Sequence, residues 1–535
     1  MGAPLLANYQ SALLYPPNWI LLIVDVAWGQ TLLAMLHLIM AGAGMAVLCR
    51  RLGFDRFAQT VAGLAYGMSG YLVARAGFLS INATAAWLPW IIVAAEGLIA
   101  RNARVRPWDV ARLALALSMQ WLAGHAQISW YTLLIAVAWV IYRAYAIHGW
   151  GAVGRSMLYL GAAGGLAFLI AGIQLLPTLE YLSISDRSAG LDTEFAMTYS
   201  FWPWRSLGLL APDLFGNPRT GNYWGYGNFW EDAIYVGLLP LLLAVSAAIS
   251  RRTPRIRWFL LGTIVTALVL GMGSNTPIFP WLYENVPSFS LFQAPTRWNL
   301  LLVFALALLA AYGAGQWRVA SGRSLYWMRL ATAGAVAVGG AAWAARLVLT
   351  DTESTFVPAI ILAGAWMLAA GILALTRRYP PRLSWIYLAI GAILLDLLVA
   401  NRGLNPTVST SLHGSSSMTG GRDHRLLMPP DVERALKFDV AFRFDSFQPE
   451  FDWLRVREVA LPNTGVFSGV RSANNFDPIL PARYGAWLDT LYAASEAQQH
   501  RLLRAADVGW LANARGVYEQ LAAPSRAWIV PRAEW

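Results

Sequence analysis

The chain has 535 residues, 57% of them hydrophobic and only 13% charged, with a mean hydropathy of +0.47. Soluble domains carry about 25% charged residues, so this composition excludes a disordered chain and argues against a cytosolic enzyme. The net charge of +11 is no nucleic-acid signal: residues 402–535 hold 15 basic and 14 acidic side chains, and the remaining excess is scattered over short loops, where a nucleic-acid groove would concentrate it.

Runs of about 20 apolar residues mark membrane-crossing helices. Candidate spans follow in chain order at 29–49, 57–74, 83–100, 108–122, 125–142 and 155–181, then at 233–250, 258–272, 297–317, 326–349, 356–376 and 384–401. Two loops are too long to be connectors. Residues 182–232 mix carboxylates with Trp202, Trp204, Tyr223, Trp224, Tyr226 and Trp230, and 273–296 is rich in proline and aromatics. Such aromatics often serve as interfacial anchors, but fifty residues of this mixture read as a folded lid or re-entrant element over a membrane-facing site. Beyond Asn401 a polar linker (Ser409–Ser417, Gly420, Gly421) leads into a near-neutral tail, with helices expected near 430–437 and 483–494 and strands near 455–461 and 526–531.

Charge placement orients these segments. Taken alternately, one set of loops collects 18 arginines. The other holds five, Arg75, Arg187, Arg205, Arg219 and Arg297, together with most of the carboxylates, including Glu231 and Asp232. By the positive-inside rule the first set is cytoplasmic and the second extracytoplasmic, with both termini outside. The expected architecture is an all-α polytopic membrane domain of about twelve transmembrane helices over 1–401, in the plasma membrane of a bacterium, followed by a small α+β extracytoplasmic domain over 402–535.

Several chemistries are excluded. Cys49 is the sole cysteine, so intramolecular disulfides and cysteine-based zinc sites are ruled out. The six histidines form no HExxH pair, and Lys437, the single lysine, follows no glycine-rich loop, which removes a Walker A site and ATP-driven transport. Most ionisable groups in or near the spans have structural explanations: Glu96 can snorkel and Asp109 opens a helix, while Asp25 and Asp396 stay open. Small-residue pairs such as Gly63/Gly67 and Gly161/Gly165 read as helix-packing sites.

Three features remain as functional candidates. Glu231 and Asp232 lie where the long loop returns to the membrane; charge at a helix N-terminus explains them about as well as chemistry does. Arg297 is a positive charge on the wrong side for topology, and its planar fork suits a phosphate. His125, within Gly124-His125-Ala126-Gln127, is more often a hydrogen-bonded structural residue than a base, although imidazole titrates near neutral pH.

A series of motifs then resembles a family. Ala7-Asn8-Tyr9-Gln10-Ser11 with Tyr15-Pro16-Pro17-Asn18, Gly70-Tyr71 with Arg75, Trp87-Leu88-Pro89, Gly124-His125-Ala126-Gln127, Tyr235-Val236-Gly237 and Pro295-Thr296-Arg297 resemble the bacterial YfhO membrane proteins, in order over most of the chain. That family is similar to the GT-C class of integral-membrane glycosyltransferases, which move a sugar from a polyprenyl-phosphate carrier to an acceptor on the outer membrane face. The resemblance implies a carboxylate base for the acceptor hydroxyl and an arginine for the departing phosphate. With that chemistry, Glu231 and Asp232 are the candidates for acid/base or metal-contacting carboxylates, Arg297 for phosphate anchor, His125 with Gln127 for a sugar or acceptor contact, and Asn8 and Gln10 for substrate or phosphate binding. No cofactor is assigned; a divalent cation on the two carboxylates is the one candidate.

Family members usually begin with one more helix and a first extracytoplasmic loop carrying a catalytic-type carboxylate, and this sequence starts at Met1-Gly2-Ala3-Pro4, after the place where that loop would end. The expectation is therefore a chain lacking that loop, with Glu231 and Asp232 as substitutes. The partners implied are a polyprenyl-phosphate-linked sugar, a cell-envelope acceptor (glycolipid, polymer or protein) and the bilayer, with no nucleic acid. The alternatives are a transporter or flippase of a lipid-linked or anionic substrate, which calls for inverted repeats that are not evident here, and a non-catalytic envelope scaffold presenting the 402–535 domain.

Overall fold

The structure is a computed structural model that describes residues 4–99, 105–189, 192–316, 322–348, 356–377, 382–410, 423–447, 459–465, 469–474, 479–513, 515 and 517–521. The chain forms two compact units. The larger comprises Tyr9–Leu175 and Leu191–Asn405, the smaller Met1–Asn8, Leu176–Gly190 and Pro406–Trp535.

Helices run in order α1 (Val26–Arg51), α2 (Arg56–Gly67), α3 (Gly70–Val73), α4 (Leu79–Ala95), α5 (Pro107–Leu122), α6 (Ala126–His148) and α7 (Trp150–Ser183). The one-turn helices α8 (Thr193–Ala196) and α9 (Phe229–Asp232) lie in the long loop, followed by α10 (Leu238–Ile249), α11 (Ile256–Gly271), α12 (Ile278–Asn285), α13 (Asn299–Gly315), α14 (Arg323–Val348), α15 (Phe356–Thr376) and α16 (Leu383–Ala400). Every predicted span falls on a helix, yet only 7 of the described helices are long and apolar enough to cross a membrane, while α10 and α11 are apolar but shorter. A multi-pass membrane protein is thus supported by length and composition; a count of twelve crossings is not.

α13 is the axis of the larger unit. It is apolar on every side, as expected of an enclosed helix, and Leu300 through Ala311 are all buried against α2, α10 and α11. α1 and α2 meet through glycine. A Cβ at Gly67 would lie 2.8 Å from Gly42 Cα and 2.9 Å from the Leu38 carbonyl, and one at Gly42 would lie 2.9 Å from the Gly63 carbonyl. This is close backbone packing of the small-residue kind. Gly161 and Gly165 do not share that role: nothing comes within 4 Å of a Cβ at either, because their face of α7 also carries the exposed Leu158 and Leu169 and turns away from the bundle. Gly67→Ala is therefore expected to cost about 1–3 kcal/mol by overpacking, read as a lowered unfolding temperature in detergent. Gly161→Ala should stay within about 0.5 kcal/mol of wild type.

Two predicted spans are interrupted, and both breaks matter for the site. The 57–74 segment stops at Gly67 and restarts as α3, where Ser69 Oγ accepts the Leu72 N–H at 3.4 Å. The 233–250 segment is helical only from Leu238, because Gly237 takes φ +88° and residues 233–237 stay extended. Gly70 donates its N–H to the Tyr235 carbonyl at 2.7 Å, so the two interruptions are stitched together.

In the smaller unit, strands β1 (Arg425–Leu427) and β2 (Val508–Ala512) pair parallel, and β3 (Tyr518–Gln520) pairs antiparallel with β2. The end of α7 and the segment after it belong to this unit: Asp186 N–H donates to the Leu480 carbonyl, and Tyr181 Oη to the Ile479 carbonyl at 3.0 Å. Both expected tail helices are present, as Pro430–Arg434 running on to Ala441 and as Ala482–Ala493. A third helix, Glu496–Ala505, was legible in its Ser495/Gln498 capping box. The expected strand at 526–531, most of that at 455–461, and linker residues 411–421 lie outside the described residues.

Candidate active site

The long loop returns to the bundle through Gly227, at φ +70°, a conformation that glycine adopts without a Cβ clash. Asn228 then caps α9, its Oδ1 accepting the Glu231 N–H at 3.1 Å. That single turn aims Glu231 inward, where it is buried.

Two arginines converge on it. Arg75, at the end of the interrupted 57–74 segment, is fully buried; its Nη2 donates to Glu231 Oε2 at 2.8 Å and to the Glu231 carbonyl at 3.1 Å, and its guanidinium lies 3.9 Å over the Tyr71 ring. Arg297 comes from the turn Pro295–Trp298 that starts α13. Its Nε and Nη2 reach Glu231 Oε1 at 3.0 and 2.8 Å. Its Nη1 donates to Gln127 Oε1 at 3.1 Å, and Gln127 in turn donates to Tyr131 Oη at 2.8 Å. Thr296 Oγ1 secures the Glu231 carbonyl at 3.0 Å. Trp130, Tyr131, Phe289, Phe292 and Trp298 close one side, with Tyr131 and Trp298 centroids 4.2 Å apart. Inside such a low-dielectric wall, each charge interaction is stronger than in water.

The neighbouring carboxylates differ in acidity. Burial opposes ionisation of Glu231, but Arg297 and Arg75 outweigh it and hold the group down at about 2. Asp232 has one arginine: Arg205 Nε lies 2.8 Å from its Oδ2, while Arg205 Nη2 donates to Tyr223 Oη at 2.8 Å. Burial dominates there, and with Glu231 nearby it pushes Asp232 up to about 6 against the pull of Arg205. Asp232 and Arg205 also line a cavity of about 20 Å³ with Gly70, Phe215, Phe229 and Tyr235, room for one water molecule. Beyond it, Asp396 in α16 accepts the Tyr235 hydroxyl at 2.6 Å and the Leu238 N–H at 2.8 Å.

Four of the residues singled out in the sequence, Glu231, Asp232, Arg297 and Gln127, thus meet in one place. His125 sits one turn away as the N-cap of α6, its Nδ1 accepting the Ile128 N–H at 3.3 Å. Its ring nitrogen is occupied with capping. Gln10 is exposed, its Cα 3.5 Å from where a Gly124 Cβ would sit. Asn8 belongs to the smaller unit. A divalent cation does not suit the arrangement, because three guanidiniums already face two carboxylates. Among the described residues no group of three His, Cys, Asp or Glu side chains gathers as metal ligands.

Arg75 and Arg205 were not singled out, although the signal was available. Both belong to the five arginines that break the topological charge pattern, as does Arg219, which pairs with Asp213 at 3.0 Å.

The family profile described as "Bacterial membrane protein YfhO" matches residues 4–415. The chain belongs to the YfhO family. No curated protein matches this YfhO member significantly. Among solved structures, the arabinofuranosyltransferase AftD from Mycobacteria superposes with a TM-score of 0.50 at 12% identity, covering 94% of this chain and 30% of AftD. The chain therefore spans less than a third of AftD's length. ArnT from Cupriavidus metallidurans gives a TM-score of 0.48 in its apo state, at 14% identity over 89% of this chain and 76% of ArnT. Its undecaprenyl phosphate-bound form gives 0.40, at 12% identity over 85% and 77%. The likeness to AftD is one of fold.

Proposed function

We propose that this YfhO protein is a GT-C-like glycosyltransferase that moves a sugar from a polyprenyl-phosphate carrier to a cell-envelope acceptor on the outer membrane face. The observation that carries the reading is the convergence of Arg75 and Arg297 beside Asp232, a carboxylate that titrates near neutral pH. AftD's likeness in fold supports the same reaction class. The charge asymmetry of the loops supports an extracytoplasmic location for both the site and the 402–535 domain.

The roles follow from the geometry. Asp232 takes the proton of the acceptor hydroxyl, and a base with a pKa near the working pH is the efficient one. The hydroxyl oxygen attacks the anomeric carbon. The bond from that carbon to the phosphate oxygen breaks, and its electron pair leaves with the phosphate. Arg297, assisted by Arg75, stabilises the growing negative charge on that leaving group. Glu231, held ionised at about 2, organises the arginines and does not exchange protons.

The test is transfer of labelled sugar from polyprenyl-phosphate donors in proteoliposomes. Transfer should rise with pH around a midpoint near 6, the value to which burial brings Asp232. Asp232→Asn should remove that limb and lower the rate by about 10²–10⁴-fold. The same shift acts on stability with the opposite sign to the usual carboxylate. The folded value lies above the unfolded one of about 3.9, so the contribution is full below about pH 4 and is lost as pH rises through about 6. A pH-independent rate in the wild-type protein would remove Asp232 from the base role.

A further inference from the structure

We propose that the Glu231 carboxylate occupies the phosphate seat of the resting protein, and that a phosphate-bearing ligand exchanges with it on Arg297. The inference rests on the reading of Arg297 as phosphate anchor and adds to it a built-in competitor.

Each nitrogen of Arg297 already donates: Nε and Nη2 to Glu231 Oε1, Nη1 to Gln127 Oε1. A carboxylate presents two oxygens to a guanidinium fork just as a phosphate does, so Glu231 fills the position that a phosphate would take. The cluster is nevertheless short of negative charge. Arg75, Arg205 and Arg297 face Glu231 and Asp232, leaving one uncompensated positive charge among side chains that are at most 14% exposed. An unpaired buried charge is costly, and a monoanion, such as a phosphodiester carrying a sugar and a lipid, removes that cost.

The route to exchange is also visible. Arg297 is the most open member, 14% exposed against 0% for Arg75, 5% for Arg205 and 4% for Glu231. Oε2 of Glu231 has its own bond to Arg75 at 2.8 Å. Oε1 has to leave Arg297 together with the longer Nε–Oε2 contact at 3.4 Å, and the displaced carboxylate keeps Arg75 as a buried partner. Gln127 can stay on Arg297 throughout, holding the guanidinium in plane.

Binding of farnesyl phosphate to the detergent-purified full chain, followed through the fluorescence of Trp298 and Trp130 beside Arg297, tests this. Farnesol and inorganic phosphate are the comparison probes. Glu231→Gln removes the competing charge and should bind farnesyl phosphate on the order of tenfold more tightly than wild type. Glu231→Asp, one methylene shorter, keeps the charge and the Arg75 contact within reach but withdraws from Arg297; it should tighten binding by a smaller factor and covers the case in which the glutamine variant does not fold. Tighter binding by the Glu231 variants supports the exchange; with it, farnesyl phosphate binding better than inorganic phosphate assigns the seat to a lipid carrier, and equal binding assigns it to free phosphate. Farnesol binding as well as farnesyl phosphate overturns it. If Arg297→Ala weakens binding while both Glu231 variants bind no more tightly than wild type, the exchange fails and the anchor stands. If Arg297→Ala binds as wild type does, the anchor reading itself fails.

Discussion

Arg297→Ala is expected to lower sugar transfer by about 10²–10³-fold, the usual effect of removing one donor from a preorganised charge-stabilising site. The size follows from how much one guanidinium does here. It supplies the fork to Glu231 Oε1 and the bond to Gln127, and in the proposed reaction it meets the charge that develops on the departing phosphate. Arg297→Lys should recover little, because an ammonium is a point charge and cannot reproduce a two-pronged contact. Transfer from labelled polyprenyl-phosphate donors in proteoliposomes is the measurement, with unfolding temperature as the control for folding. Undiminished transfer in a folded Arg297→Ala protein would take Arg297 out of the site.

Arg75→Met should act mainly on stability, by about 3–5 kcal/mol, the range for breaking a buried ion pair from one side. Arg75 is fully buried and holds both the carboxylate and the carbonyl of Glu231. Its loss leaves Glu231 sharing Arg297 alone and forfeits the packing of the guanidinium on Tyr71. Combining Arg75→Met with Glu231→Gln should return much of the loss, since a neutral amide no longer needs the second cation. Thermal unfolding of the single and double variants in detergent gives the coupling. Independent, additive losses would show that Arg75 and Glu231 do not act as a pair.

The architecture was legible where it depended on apolar periodicity and hidden where it depended on backbone detail. Helices stood out because twenty-residue apolar runs have few alternatives. The breaks at Met68 and before Leu238 did not, because both interrupted segments are mostly apolar and the interruption is decided by partners far away in sequence, Tyr235 for one and Asp396 for the other. The site was half visible. Charge placement pointed to Arg297, Glu231 and Asp232, and the same logic applied to all five exceptional arginines would have found Arg75 and Arg205. His125 was weighed as a possible base, yet its ring nitrogen serves as a helix cap. A single residue's position cannot report whether its nitrogen already has a backbone partner. Likewise, Gly63/Gly67 and Gly161/Gly165 have the same spacing, and only the fold tells a packed glycine pair from an open one.

The bond between Asp396 and the Tyr235–Leu238 segment has a mechanical consequence. α16 is 28% buried over its span, so most of its surface is left for lipid, and Asp396 fastens it to the extended stretch that begins one residue after Asp232. A helix bathed in lipid responds to bilayer thickness by tilting. Tilt in α16 pulls on Tyr235 and Leu238, and through them on the carboxylate pair. Sugar transfer assayed in vesicles of increasing acyl-chain length is therefore expected to vary with bilayer thickness, and a constant rate would show that α16 passes no strain to the carboxylates.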